Sequence, residues 1–195
     1  MLGNDVIDLA DPETHSRHEG FDARVFSPSE REDIARASDP HARRQMLWAA
    51  KESAYKAVRR ARSRTVFSPV RFEVELDLDG RGAVRHASDL LAVEVARAGD
   101  CIHAVACVGQ DPSRSLRGVT RVKGQSPGDA ARSLALSEVG RSLGLPPKDL
   151  RIERPRRIPE LRLRGETLPA PLSLSHHGRF AAYAALTHPS SRIEA

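Results

Sequence analysis

The chain has 195 residues, 39% of them hydrophobic, enough for one large domain or two small halves that each bury a core. No stretch reaches the roughly 20 apolar residues that span a bilayer, and the N-terminus lacks the basic-then-apolar pattern of a signal peptide, so a cytoplasmic protein without a membrane contact is expected. The formal charge of +5 suits phosphates or an acidic partner, but aromatic residues make up only 4%, few platforms for stacking nucleic-acid bases.

In chain order, the first element is a strand near 2–9, holding Gly3-Asn4-Asp5-Val6-Ile7-Asp8. A carboxylate after a glycine at the start of an apolar strand lets a ligand or ion approach closely. Alternation places Asp5 and Asp8 on opposite faces, so they are poor partners for one another, and Asp8 is read equally as a strand-flanking residue. Three helix starts follow one pattern, Ser27-Pro28, Asp39-Pro40 and Ser126-Pro127. In each, a side-chain oxygen caps orphan amides and proline takes the first helical position. Glu30 completes a capping box with Ser27.

The helix over about 40–61 carries Leu47, Ala50, Ala54 and Val58 at helical spacing. It also carries Trp48-Ala49-Ala50-Lys51-Glu52-Ser53-Ala54-Tyr55-Lys56, in which Glu52 and Lys56 share a face. An isolated E-x-x-x-K is usually a surface ion pair. Here the alanines around Glu52 predict shielding, and a shielded carboxylate beside two lysines suits Mg²⁺ and a polyphosphate: oxygen for the hard cation, Lys51 and Lys56 for the phosphates.

The alternation of Val70, Phe72, Val74, Leu76 and Leu78 predicts a half-buried strand ending at Asp79-Gly80. Further strands are expected near 90–97, 101–108, 171–176 and 180–187. Cys101 and Cys107 fall in one strand, too far apart for a disulfide. Residues 1–110 are read as a first half, 111–125 as a basic linker, and 126–195 as a second half with a helix over 127–143 stopped by Gly144. The order predicts an α+β fold of two similar halves. The last chemical segment is Ser173-Leu174-Ser175-His176-His177, a small polar strand whose end could hold an anion; a strand-end histidine is otherwise structural.

Together the G-x-D strand (Gly3–Asp5), the W-x-x-K-E-S-x-x-K helix (Trp48–Lys56) and the S-L-S-H strand (Ser173–His176) resemble the 4′-phosphopantetheinyl transferase superfamily. Phe21 to Glu30 is similar to the stretch that joins the first two motifs in holo-acyl-carrier-protein synthases. The resemblance implies a pseudo-dimer of two α+β halves in one chain, functioning as a monomer, with one cleft between them. It implies transfer of phosphopantetheine from coenzyme A to a serine of an acyl, polyketide or peptidyl carrier protein, releasing 3′,5′-ADP. Asp5 and Glu52 would hold Mg²⁺, Lys51 and Lys56 would stabilise the phosphates, and Glu52 or a water on the metal would take the serine proton. His176, with Ser175, would contact the nucleotide phosphates, and Arg132 the 3′-phosphate. The cluster Arg151, Arg154, Arg156, Arg157, Arg162 and Arg164 would complete that pocket or meet the carrier's acidic helix.

Two departures stand out. Long members of the surfactin-synthetase-activating type place the histidine half first, the reverse of this order. They also carry an acid two residues beyond the motif aspartate, where this chain has Ile7; Asp8, at plus three, matches the short synthases. The competing reading is a non-enzymatic module that binds coenzyme A or a polyanion through its arginines, weakened by salt rather than by a chelator. A third is a degenerate transferase that binds coenzyme A without turnover.

Overall fold

The computed structural model describes residues 1–15 and 20–187, and the Arg156 side chain also lies outside the description. In chain order the elements are β1 (Leu2–Asp8), α1 (Phe21–Val25), α2 (Pro28–Arg36), α3 (Pro40–Ala61), β2 (Glu73–Leu76), β3 (Arg81–His86), β4 (Asp89–Ala98) and β5 (Cys101–Val108). They continue with β6 (Leu116–Arg121), α4 (Pro127–Leu143), β7 (Leu150–Glu153), β8 (Glu160–Leu163), β9 (Glu166–Thr167), β10 (Leu172–His177) and β11 (Phe180–Ala185). The architecture is mixed α and β. No helix among the described residues is long and apolar enough to cross a membrane.

The three long helices start where their caps say they should. Ser27 Oγ accepts from Glu30 N at 3.2 Å while the Glu30 carboxylate accepts from Ser27 N at 2.7 Å, closing the capping box of α2. Asp39 caps Ala42 N and Ser126 caps Asp129 N. Gly144, at φ 68°, ends α4 in the left-handed conformation that costs a glycine least.

The first sheet runs β1-β5-β4-β3-β2, every neighbouring pair antiparallel. Helix α3 lies on one face, its Ala50, Ala54 and Ala57 sharing a core with Ile7 and Ala104. The approach is close enough that a Cβ on Gly3 would stand 2.1 Å from Ser53 O and 2.6 Å from Ala57 N. Glycine is therefore required where the chain enters the G-x-D segment. The second sheet, β10-β11-β6, carries α4 on one face, and β7-β8-β9 form a small third sheet.

The two larger sheets bury their free faces against each other. Leu2, Val105 and Cys107 meet Ala184 and Leu186, and Val6 meets Phe180 and Ala182. Because β5 and β11 are covered on both faces, their sequences read as near-continuous apolar runs instead of alternating. Both cysteines are free thiols, as their placement in β5 predicts.

Two expectations are corrected. The strand expected over Val70–Leu78 begins instead as a 3₁₀ turn, Pro69–Arg71, and only Glu73–Leu76 pairs. The Lys51 ammonium takes the carbonyls of Pro69 and Phe72, which holds that turn in place. The stretch 111–125, expected as linker, contains β6, an edge strand fully registered with β11 from Leu116↔Ala185 to Arg121↔Phe180. Arg117 within it pairs with Glu94 of the first sheet, and its Gly118 and two arginines read as loop by composition alone. The arginine-rich segment 150–167 likewise forms β7, β8 and β9.

Candidate active site

Asp5 lies in the middle of β1, which the second sheet overlies, and Glu52 lies two turns before the end of α3. They face one cavity of about 390 Å³, whose walls also include Glu13, Trp48, His176 and His177. Lys56, one turn beyond Glu52, donates to Asp5 Oδ1 at 2.7 Å and to Asn4 O at 3.1 Å. Glu52 makes no hydrogen bond or ion pair among the described residues. Its carboxyl is pushed up to about 7, first by burial and then by the charge of Asp5, with Lys56 pulling the other way. A shielded carboxylate without a partner beside a second carboxylate is a pair that a cation would stabilise. The residues therefore fit a hard divalent ion: Lys56 engages one Asp5 oxygen and leaves the other available.

The cavity continues past His176 into a second of about 190 Å³, lined by Lys56, Arg132, Arg154 and Ser175. A third of about 150 Å³ shares Lys56 and Arg154 with the second and adds Arg59, Arg60 and Arg157. Acids thus line one end of the trough and cations the other, with His176 and Lys56 at the junction. The His176 ring is held below its ordinary value by partial burial and then by Lys56, Arg154 and other nearby cations. Among the described residues, Arg59, Arg154 and Arg157 have no ion-pair partner. Arg151, Arg162 and Arg164 are engaged locally, with carbonyls, Glu153 and Asp149 respectively. The arginine cluster therefore divides. Two of its members face the trough, three serve the small third sheet, and the Arg156 side chain lies outside the described residues.

Besides the two cluster arginines, six residues read from the sequence line this trough: Asp5, Glu52, Lys56, His176, Arg132 and Ser175. Arg132 also pairs with Asp129 one turn earlier in α4. Lys51 does not join them. It is fully buried, its Nζ 2.7 Å from Glu30 Oε1, and burial pushes its ammonium down against the pull of Glu30. Lys51 follows the buried face of α3 toward α2, while Glu52, a residue further round the helix, turns to the cavity. Ser175 is partly redirected: it is buried, and its Oγ lies 3.0 Å from Asn4 Nδ2. Asp8 is engaged by Arg179, which donates from Nε at 2.7 Å and from Nη2 at 2.6 Å, and its carboxyl falls to about 2 mainly through that guanidinium.

Sequence reading missed the polar seam that aligns the two sheets. Asn4 N donates to Ser173 Oγ at 3.0 Å, and Asn4 Nδ2 lies 3.1 Å from His103 Nε2. Burial pushes the His103 ring down to about 4, so it serves this seam as a neutral imidazole. Arg60 reaches from α3 to the carbonyls of Pro159 and Leu172. The available signal was Asn4 itself, an amide inside an otherwise apolar strand, which must find partners when buried.

Helix α3 on one antiparallel sheet and α4 on another set a carboxylate pair beside a cationic trough between them. The model of the 4′-phosphopantetheinyl transferase superfamily matches residues 1–106, and the chain belongs to that superfamily. Membership sets the class of chemistry as phosphopantetheinyl transfer. Among solved structures, a Chronobacterium ammoniagenes ACPS-CoA complex is 26% identical, covering 54% of this chain and 92% of its own at a TM-score of 0.45. Mycobacterium tuberculosis acyl carrier protein synthase is 28% identical, covering 54% and 92% at 0.41. Thermotoga maritima holo-[acyl-carrier-protein] synthase is 15% identical, covering 85% and 83% at 0.43. No curated protein matches the chain.

Proposed function

We propose that this protein transfers 4′-phosphopantetheine from coenzyme A to a serine hydroxyl of an apo acyl, polyketide or peptidyl carrier protein, with 3′,5′-ADP as the other product. The observation that carries this reading is the trough itself: Asp5 and Glu52 from the first half meet His176 from the second, and free cations extend beyond them. The two halves act as a pseudo-dimer within one chain, so a monomer contains a whole site.

Asp5 and Glu52 would hold Mg²⁺, which supplies charge neutralisation at the pyrophosphate when bound. The nucleotide end of coenzyme A occupies the basic cavities. His176 and Lys56 contact its phosphates, and Arg132 and Arg154 hold the 3′-phosphate. The carrier serine oxygen forms a bond to the β-phosphorus as the bond to the bridging oxygen breaks and 3′,5′-ADP leaves. Phosphoryl transfer of this kind needs positioning and electrostatic support more than covalent help. Glu52, which faces the cavity and has no hydrogen-bond partner among the described residues, is the candidate to receive the serine proton. Lys51 has no part in the transfer and instead holds α2 and β2 to α3.

The test is intact-mass spectrometry of apo carrier proteins incubated with the protein, coenzyme A and Mg²⁺. A gain of roughly 340 Da that vanishes with Glu52→Ala and with a chelator is expected. A folded protein that modifies no carrier would sink the reading.

A further inference from the structure

His177 follows the motif histidine and has a different tie. The backbone N–H of Asp8, at the end of β1, donates to His177 Nδ1 at 3.1 Å. A peptide N–H can only donate, so Nδ1 must carry the lone pair, and the proton of the neutral ring stands on Nε2. No group among the described residues bonds to that second nitrogen. His177 also lines the cavity that holds Asp5 and Glu52, next to His176 at the opening to the basic side.

The neighbours first suggest a cation. A ring nitrogen of His177 and carboxylate oxygens of Asp11 and Glu13 lie within 4.8 Å of one another. The tautomer argues otherwise. A cation at Nε2 needs the lone pair there, which would move the proton to Nδ1 and turn it against the Asp8 N–H. The main chain of β1 thus fixes Nδ1 as the acceptor and leaves Nε2–H as the donor, with no hydrogen-bond partner among the described residues.

We propose that His177 donates its Nε2–H to a non-bridging oxygen of the phosphoryl group being transferred, as a substrate-contacting residue additional to His176. This rests on the transfer reading above. A phosphate chain running from the basic cavities to the carboxylate pair passes both histidines, and charge gathers on those oxygens in the transition state.

The test uses two amides of different reach. His177→Asn places its oxygen near the Nδ1 position and keeps an acceptor for Asp8 N–H. His177→Gln places its nitrogen near the Nε2 position and keeps the donor. We expect Asn to hold the wild-type thermal midpoint and lose roughly 10- to 100-fold in kcat/KM, as for a hydrogen bond to a charged group. Gln should recover at least about tenfold over Asn while melting lower. Nitrogen-15 NMR of the wild-type imidazole should show hydrogen on Nε2 and none on Nδ1. Full activity in Asn, losses in both variants that merely follow their unfolding, or a proton on Nδ1 would each overturn the proposal. A wild-type protein that modifies no carrier overturns the parent reading and this one with it; a working wild type with two indifferent variants overturns this one alone.

Discussion

Arg179 Nη2 bridges Asp8 Oδ1 at 2.6 Å and Asp100 Oδ2 at 2.9 Å, fastening the hairpin between β10 and β11 to β1 and to the hairpin between β4 and β5. The hairpin that carries His176 and His177 is therefore clamped to the strand that carries Asp5. The Asp8 carboxyl, lowered to about 2 from 3.8, contributes stability that is fully present above pH 4. That contribution is lost as pH falls from about 4 through 2. Acid unfolding followed by circular dichroism should show a stability slope in this window that Asp8→Asn flattens, with the largest stability loss in the variant at neutral pH.

Glu52 has the opposite sign. Its carboxyl, raised to about 7, makes the ionised form costly in the cation-free protein, so stability declines as pH rises from about 4.5 through 7. Glu52→Gln should stabilise the cation-free protein by about 2 kcal/mol at pH 8 and abolish transfer. Thermal melts with and without Mg²⁺ check this: the wild type should gain stability on adding the ion, and the variant should gain little.

The adjacent lysines of α3 should part company under mutation. Lys51→Ala strands the buried Glu30 carboxylate and should cost roughly 3–5 kcal/mol, with kcat/KM of the folded fraction within about threefold of wild type. Lys56→Ala leaves the core intact and should lower transfer by about tenfold or more, because Lys56 joins Asp5 to the basic cavities. Urea denaturation alongside carrier-labelling rates separates the two.

Arg154 lines both basic cavities and has no ion-pair partner among the described residues. Arg154→Ala should raise the KM for coenzyme A by about tenfold, equivalent to about 1.4 kcal/mol, and change that for 3′-dephospho-coenzyme A much less. Equal effects on both substrates would place the 3′-phosphate elsewhere. Raising salt should narrow the difference between variant and wild type.

The sequence alone determined what depends on near neighbours. Cap residues at Ser27, Asp39 and Ser126 set the three long helix starts, and helical spacing put Glu52 and Lys56 on one face of α3, because these effects act over three or four residues. The three motifs together also pointed to the superfamily and to Asp5 as Glu52's partner. What only the tertiary structure decided was the use of groups whose partners lie far along the chain. Lys51 was read as a phosphate ligand until its helix face met Glu30, 21 residues earlier. Ser175 lines the basic cavity as read, and its bond from Asn4, across 171 residues, appears only in the fold. Strand β6 was read as linker because Leu116–Arg121 shows no clean apolar alternation; its pairing with β11 makes it a strand. Alternation and capping are written locally, whereas a buried ion pair or an edge pairing exists only once two distant segments remove each other's polar groups from water.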